Sequence, residues 1–425
     1  MTLTEIGYRE RIADTHIDEC LKLFGAVVVE GPKWCGKTWT VLNHAESVVY
    51  LMDPGNNYSV REAAQINPSS ALKGKQPHAI DEWQEVPGVW DAVRFDVDRS
   101  KEKGKYLLTG STKPLMKRPL HSGIGRIVRV DLRPMSLFES GDSSGNISLS
   151  QLFANKKIEA YPTQVDLDHL AYLVTRGGWP ENIGISPEKC QVLPHYYLEE
   201  LAYSEISELD DNINRDPDKV TALLRALARN AASNVSNVTL QKDIGNKANS
   251  LSAQTISNYL AALRRLYVLE EIPAWKPALR SKVRLQGAPK RMLVDPSLTV
   301  AGLQATPRQL VNDLPTLGNV FESLCLRDLR VYAGALGGKL AHYRDNSYLE
   351  VDAIIELSVN SYGAFEVKLN PARVDEAAAT LTRFRNKMLQ GGYPPPACIA
   401  IITGGGVVRQ RADGIYEVPV TELKP

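Results

Sequence analysis

This sequence lacks a C-x-x-C pair: Cys20, Cys35, Cys190, Cys325 and Cys398 are scattered and odd in number. That spacing argues against a disulfide framework and a zinc knuckle, and for a reducing compartment. The seven histidines form no H-x-x-x-H or H-E-x-x-H pair, so a dedicated transition-metal site is unsupported. No stretch approaches the roughly 18 uninterrupted apolar residues of a membrane span. The first residues, MTLTEIGYRERIADTHIDE, lack the apolar core of a signal peptide, and the expected location is cytoplasmic, with no membrane partner. Excess charge is lacking too: Lys plus Arg number 50 against 49 Asp plus Glu. Any attraction to nucleic acid must therefore come from a local patch. Internal repeats and low-complexity tracts are also absent.

What is present is a chain of 425 residues, 43% hydrophobic and 23% charged, a globular composition with room for two to four domains. From residue 26 to 134, short apolar runs alternate with helical patterns. Strands are expected at 26–30, 47–53, 78–81, 105–111 and 126–132. This rhythm implies α/β architecture, a parallel sheet flanked by helices. Between the first strand and the first following helix lies Gly31-Pro32-Lys33-Trp34-Cys35-Gly36-Lys37-Thr38, then Trp39. Its G-x-x-x-x-G-K-[ST] spacing presents backbone N–H groups and a helix N-terminus to phosphate oxygens. Lys37 would reach the β- and γ-phosphates of ATP, and Thr38 would hold Mg²⁺. The third strand ends in Asp81 and Glu82, the first a candidate support for Mg²⁺ and the second a candidate base for the attacking water. Thr109 and Ser111 end the fourth strand, where a polar group could sense the γ-phosphate. Arg126 and Arg176 are candidates for contacting that phosphate, within the chain or from a neighbouring subunit.

Residues 140–165, rich in Ser, Asn, Asp and Gly at their start, read as a loop. Helical patterns follow, and the last three, at 219–234, 238–247 and 252–269, precede two strands. Three helices and a strand hairpin is the order of a winged helix. Ile256, Leu260, Leu263 and Leu266 would form the core stripe of its third helix. Gln254, Thr255, Ser257 and Asn258 are its candidate base-reading residues. Lys276, Arg280, Lys282, Arg284, Lys290 and Arg291, in the segment joining the strands, would neutralise phosphates. A smaller α/β region starts near residue 318. There Asp352, Glu366 and Lys368 form the Asp…Glu-x-Lys pattern of restriction-endonuclease-like (PD-(D/E)xK-like) folds, in which carboxylates hold Mg²⁺ and the Lys positions water. Glu322, on the helix before them, is a further candidate carboxylate. The expected division is 1–140 P-loop domain, 141–217 helical lid and linker, 218–300 winged helix and 301–425 nuclease-like domain.

The succession VVVEGPKWCGKT, IDEWQEVPGVWDAVRFDVD, YLLTGSTKP, GRIVRVDLRPMSLFE and RGGWP resembles the bacterial and archaeal AAA-type P-loop ATPases with a C-terminal domain of unknown function of the DUF4143 type. The resemblance implies that Lys37, Thr38, Asp81 and Glu82 are the nucleotide site, that Ser111 lies in the sensor strand, and that Arg126 falls in a motif of suggestive position. Lys33-Trp34 departs from the Arg-Gln more frequent there, and the contact made by Trp34 is left open. The expected activity is Mg²⁺-dependent hydrolysis of ATP to ADP and phosphate, coupled to modules that bind DNA or a protein. A nucleotide-gated nuclease and a slowly turning signalling scaffold are the alternatives, and assembly into an oligomer is a further expectation.

Overall fold

The computed structural model describes residues 2–112, 123–164, 166–206, 216–245, 251–278, 288–358 and 361–425. Arg280, Lys282 and Arg284 of the basic segment lie outside these residues, as do the last residues of YLLTGSTKP. Helix α1 (Ile12–Leu23) precedes strand β1 (Ala26–Glu30), α2 (Lys37–His44), β2 (Ser47–Tyr50), α3 (Ser59–Ile66), β3 (His78–Asp81), α4 (Gly88–Ser100), β4 (Tyr106–Gly110) and β5 (Ile127–Asp131). The five strands are all parallel, in the order β2-β3-β4-β1-β5. β1 lies between β4 and β5, and both of its faces are covered, which is why AVVVE is apolar almost throughout. Val27 and Val29 enter one core and Ala26 and Val28 the opposite one, the period-two alternation of a strand.

The segment expected as a loop instead supplies parts of another sheet. After α5 (Leu137–Ser140) come β6 (Ile147–Ser148), α6 (Leu149–Phe153) and β7 (Tyr161–Thr163). β10 (Lys339–Arg344), β11 (Glu350–Ser358), β12 (Ser361–Lys368), β13 (Cys398–Thr403), β14 (Gly406–Gln410) and β15 (Tyr416–Pro419) form a sheet that β7 completes as an edge strand beside β14. β6 pairs with β16 (Leu423–Lys424). The chain after the first sheet thus docks onto its own C-terminal end, with Leu149, Leu152 and Leu170 in one core with Phe365 and Val418.

Between these units lie α7 (Leu167–Arg176), α8 (Val192–Glu200) with a π-helical turn over Leu201–Glu205, and α9 (Pro217–Arg229), α10 (Asn237–Ile244) and α11 (Ala253–Arg265). An antiparallel hairpin follows, β8 (Leu269–Ile272) with β9 (Lys290–Leu293). The expected stripe Ile256, Leu260, Leu263 and Leu266 is buried, in the same core as Val27, Val29 and Leu107 of the first sheet. α12 (Pro296–Gly302), α13 (Pro307–Asn312), the long α14 (Leu314–Ala335) and α15 (Val374–Gln390) complete the helices used below. On α14, Arg327 lies between Asp295 (2.8 Å) and Asp328 (2.7 Å), all three buried. Their carboxylates also accept the backbone N–H of Gly178 (3.0 Å) and of Leu137 (3.0 Å). This buried network satisfies its own charges and fixes the exit of the first unit against the C-terminal one.

Candidate nucleotide site

The phosphate loop runs from the C-terminal end of β1 to the start of α2. Gly31 is required by close approach: a Cβ there would meet the Leu132 carbonyl oxygen at 2.1 Å. Gly36 takes φ 98° and Trp34 φ 63°, two left-handed residues that let the loop turn back over the helix N-terminus. Cys35 is buried beneath the loop, its thiol pushed up in pKa by burial. The buried Arg11 donates to the Cys35 carbonyl (2.9 Å) and the Arg133 carbonyl (2.6 Å), and pairs with Glu139 (3.0 Å). These bonds tie the loop to the segment after β5.

The expected polar residues converge. Thr38 Oγ1 donates to Asp81 Oδ1 at 2.9 Å, and Thr109 Oγ1 donates to the same oxygen at 2.8 Å. Thr109 also accepts the Glu82 backbone N–H at 2.9 Å, and Ser111 Oγ donates to Glu82 Oε2 at 2.9 Å. Gln84, absent from the sequence reading, donates its amide to the same Glu82 oxygen. Glu82 stands at φ 54°, a left-handed kink that ends β3 and starts a 3₁₀ turn over Trp83–Glu85. Burial, with the Glu82 charge beside it, raises the Asp81 carboxyl above the usual range. A buried carboxylate beside a second carboxylate and a hydroxyl is a donor set that a hard divalent cation stabilises, so these residues fit Mg²⁺. Lys37 is buried, and its Nζ donates to the Pro32 carbonyl at 2.8 Å.

Lys37, Thr38 and Glu82 open on a cavity of about 680 Å³ whose other walls include Tyr8, Arg9, Pro180 and Ile183, within the size range of small-ligand sites. Tyr8 Oη donates to Asp14 (2.8 Å), which also meets His44 Nε2 (3.0 Å). This chain of bonds fixes the N-terminal wall. Trp34 and Trp39 lie on the rim and are half-exposed, Trp34 at 51%. Trp34 packs edge-to-face on Tyr197 of α8 (centroids 5.6 Å apart), which stacks on Trp179 (4.8 Å). Lys33 pairs with Glu205 in the π-helical turn. The contact left open by the sequence is thus with the helical segment after the first sheet.

Neither candidate arginine reaches this cavity within the chain. Arg126 directly precedes β5, whose first residue pairs with Ala26, the first of β1. The phosphate loop leaves the other end of β1, about 13 Å further along at the rise of a strand. Arg126 pairs there with Asp98 (2.6 Å). Arg176 is 2% exposed and pairs with Asp142 at 2.8 Å, so its charge is already matched. The neighbouring glycines explain the RGGWP string: a Cβ on Gly178 would meet the Met135 carbonyl oxygen at 2.0 Å. A G-x-S-x-G spacing at 141–145 escaped the sequence reading. Its central Ser143 donates to the Leu423 carbonyl at 2.6 Å and joins the chain end to α5.

In the C-terminal sheet Asp352, Glu366 and Lys368 do meet. Lys368 Nζ lies 2.9 Å from Glu366 Oε2 and 3.9 Å from Asp352 Oδ2, and Asp352 accepts the Val367 N–H at 2.9 Å. Glu322 completes the carboxylate group, but its partner is Lys290 of β9, at 2.9 Å. Lys290 Nζ is also 3.4 Å from both Asp352 and Glu350, and the residue is 2% exposed. Burial, with the Asp352 charge, raises the carboxyls of both Glu322 and Glu366. The pair expected to hold a second Mg²⁺, Asp352 and Glu366, thus stands with the ammonium groups of Lys290 and Lys368 among its carboxylates. Lys290 and Arg291, expected to neutralise phosphates, are both paired within the chain, Arg291 with Glu271 (3.1 Å) and Asn237 (2.8 Å). Lys276 lies over the Tyr343 ring, 4.6 Å from its centroid. On α11, Gln254 and Asn258 are exposed and bonded to each other (3.0 Å), while Ser257 accepts from Asn237 (3.0 Å) and Thr255 caps with Ser252.

A β2-β3-β4-β1-β5 sheet with a phosphate loop after its fourth strand in that order defines a P-loop nucleotide-binding unit. Residues 24–140 match the family model described as AAA domain (AAA_14), and residues 317–423 match the domain of unknown function DUF4143. The chain carries an AAA-type P-loop ATPase domain followed by a DUF4143 domain. Residues 167–309 between them match a further domain of unknown function, DUF8612. Uncharacterized proteins of Mycobacterium bovis and Mycobacterium tuberculosis are each 23% identical over 364 residues, 84% of this chain and 73% of theirs. A solved Walker-type ATPase of Pyrococcus abyssi aligns at 15% identity and a TM-score of 0.43, covering 71% of this chain and 98% of its own. Among the described residues no helix is long and apolar enough to cross a membrane.

Proposed function

We propose that the chain binds ATP with Mg²⁺ in the 680 Å³ cavity, hydrolyses it to ADP and phosphate in the cytoplasm, and passes the nucleotide state to its C-terminal half. The observation that carries this reading is the shared hydrogen bond of Thr38 and Thr109 on Asp81, one residue from a Glu82 held by Ser111. Thr38 and Asp81 would hold Mg²⁺, which when bound supplies Lewis-acid stabilisation of the phosphate charge. Lys37 gives up the Pro32 carbonyl for phosphate oxygens, and the loop N–H groups bind the remaining ones. Glu82 accepts the proton of the attacking water, and the hydroxyl of Ser111 orients its carboxylate. The stabilising Arg of such sites would be a residue other than Arg126 or Arg176 of the same chain: Arg9, which lines the same cavity, or an Arg of a neighbouring copy.

Transmission would run through Trp34 and Lys33, which touch α8 and its π-helical turn. α9 to α11 with the hairpin are read as a winged helix, and the exposed Gln254 and Asn258 are its remaining candidates for DNA. The purified protein with Mg²⁺ and ATP should release phosphate, and Lys37→Ala should lower that release by about 100-fold or more. Equal release by wild type and Lys37→Ala would refute the enzyme reading.

A further inference from the structure

We propose that Lys290 is a tethered cation: its ammonium fills the C-terminal carboxylate centre, keeps divalent ions out of it, and latches the β8–β9 hairpin onto the C-terminal sheet. The inference is independent of the nucleotide reading. Lys290 arises on β9, in the unit before α14, yet its Nζ stands 2.9 Å from Glu322 and 3.4 Å from both Asp352 and Glu350. Four carboxylates, Glu322, Glu350, Asp352 and Glu366, face two ammonium groups, Lys290 and Lys368. An uncompensated carboxylate cannot stay charged in such surroundings, so the cluster needs a cation, and the chain provides its own. The ammonium suits this role because it is a compact point charge with three donors, and here it meets three carboxylates.

A second attachment shows that the hairpin is seated and not merely nearby. Trp275, four residues after Glu271, is buried in the C-terminal core, with its ring 4.6 Å from that of Tyr362. Its backbone N–H donates to the His342 carbonyl (2.7 Å), and the His342 N–H donates to the Pro273 carbonyl (2.9 Å). The His342 ring meets the Ala288 carbonyl at 3.1 Å, two residues before Lys290. Both arms of the connection between β8 and β9 are therefore held by β10, and Lys290 is delivered to the carboxylates from a fixed position.

The test is Mn²⁺ binding to the full-length protein without nucleotide, read by electron paramagnetic resonance, with amide exchange at residues 288–293 as a second readout. Wild type and Asp352→Asn should bind the same amount of Mn²⁺. Lys290→Met should bind one more ion than wild type, Lys290→Met with Asp352→Asn should lose it, and the 288–293 amides should exchange at least tenfold faster in Lys290→Met without metal. Lys290→Arg, which keeps the charge, should gain no ion. If Lys290→Met fails to fold, the same measurements on Lys290→Met with Glu322→Gln, one carboxylate fewer, decide the matter. Mn²⁺ lost from wild type on Asp352→Asn would overturn the proposal, because metal and Lys290 would then share the centre. A folded Lys290→Met protein, or its Glu322→Gln double variant, that takes up no additional ion or exchanges at the wild-type rate would overturn it as well.

Discussion

Asp81 and Glu82 are adjacent carboxylates with different hydrogen-bond partners, and the proposed function gives them different work. Asp81 receives two threonine hydroxyls on one oxygen, which leaves its other oxygen for a cation. Glu82 receives Ser111 and the Gln84 amide on one oxygen, an arrangement that orients the carboxylate. If Ser111 acts by positioning, Ser111→Ala should slow phosphate release roughly tenfold, a fraction of the 10²–10⁴ that a general base contributes, while the affinity for ATP changes by less than about twofold. A rate equal to wild type in single-turnover phosphate release would remove Ser111 from the mechanism. The convergence of Lys37, Thr38, Asp81 and Glu82 at one cavity was legible because each sits at a fixed offset from a strand end. The same logic would have demoted Arg126: it precedes its strand, and in a parallel sheet that end lies opposite the phosphate loop. Arg176 was beyond reach, since its partner Asp142 belongs to a segment with no periodic signal.

At the scale of elements, the phosphate loop depends on backbone approach as much as on its lysine. Gly31 passes so near Leu132 that a methyl group would overlap its carbonyl oxygen at 2.1 Å. Gly31→Ala should therefore destabilise the protein by about 2 kcal/mol or more, as overpacking does, and should weaken ATP binding because the loop must shift. Calorimetric melting and nucleotide titration of the same preparation check both, and an unchanged melting temperature with wild-type affinity would contradict the stated packing. β1 and β3 have the bounds expected from the sequence, because buried parallel strands are short apolar runs between turns. β6, β7 and β14 gave no such signal. β6 and β7 are two and three residues long, and their partners lie more than 240 positions away, so their conformation is set by pairing and not by local pattern. The three helices of the middle unit were legible for the opposite reason, since a stripe at i, i+4 and i+7 is visible within one helix.

Over the whole molecule, the cores are continuous where the sequence suggests boundaries. The inner face of β1 shares a core with α9 to α11, and the connection between β8 and β9 enters the core beneath β10 to β13 through Trp275. The phosphate loop is thus joined to the C-terminal sheet by continuous packing, through the helices that Trp34 and Lys33 touch and then through the hairpin, the route along which the proposed function would pass its nucleotide state. No local pattern announces this route, because Trp275 and Lys290 read as an aromatic and a basic residue of a surface wing until their partners, more than 30 positions away, are known. Trp275→Ala should cost about 3–5 kcal/mol, the usual range for removing a large buried aromatic. The loss should fall on the C-terminal unit, because neither core against the first sheet contains this residue. Amide exchange should accelerate across β10 and β12 while β1 and β4 keep their protection. Uniform acceleration in both sheets would mean that the two units unfold as one, and unchanged protection in β10 and β12 would mean that the Trp275 ring does not anchor the hairpin at all.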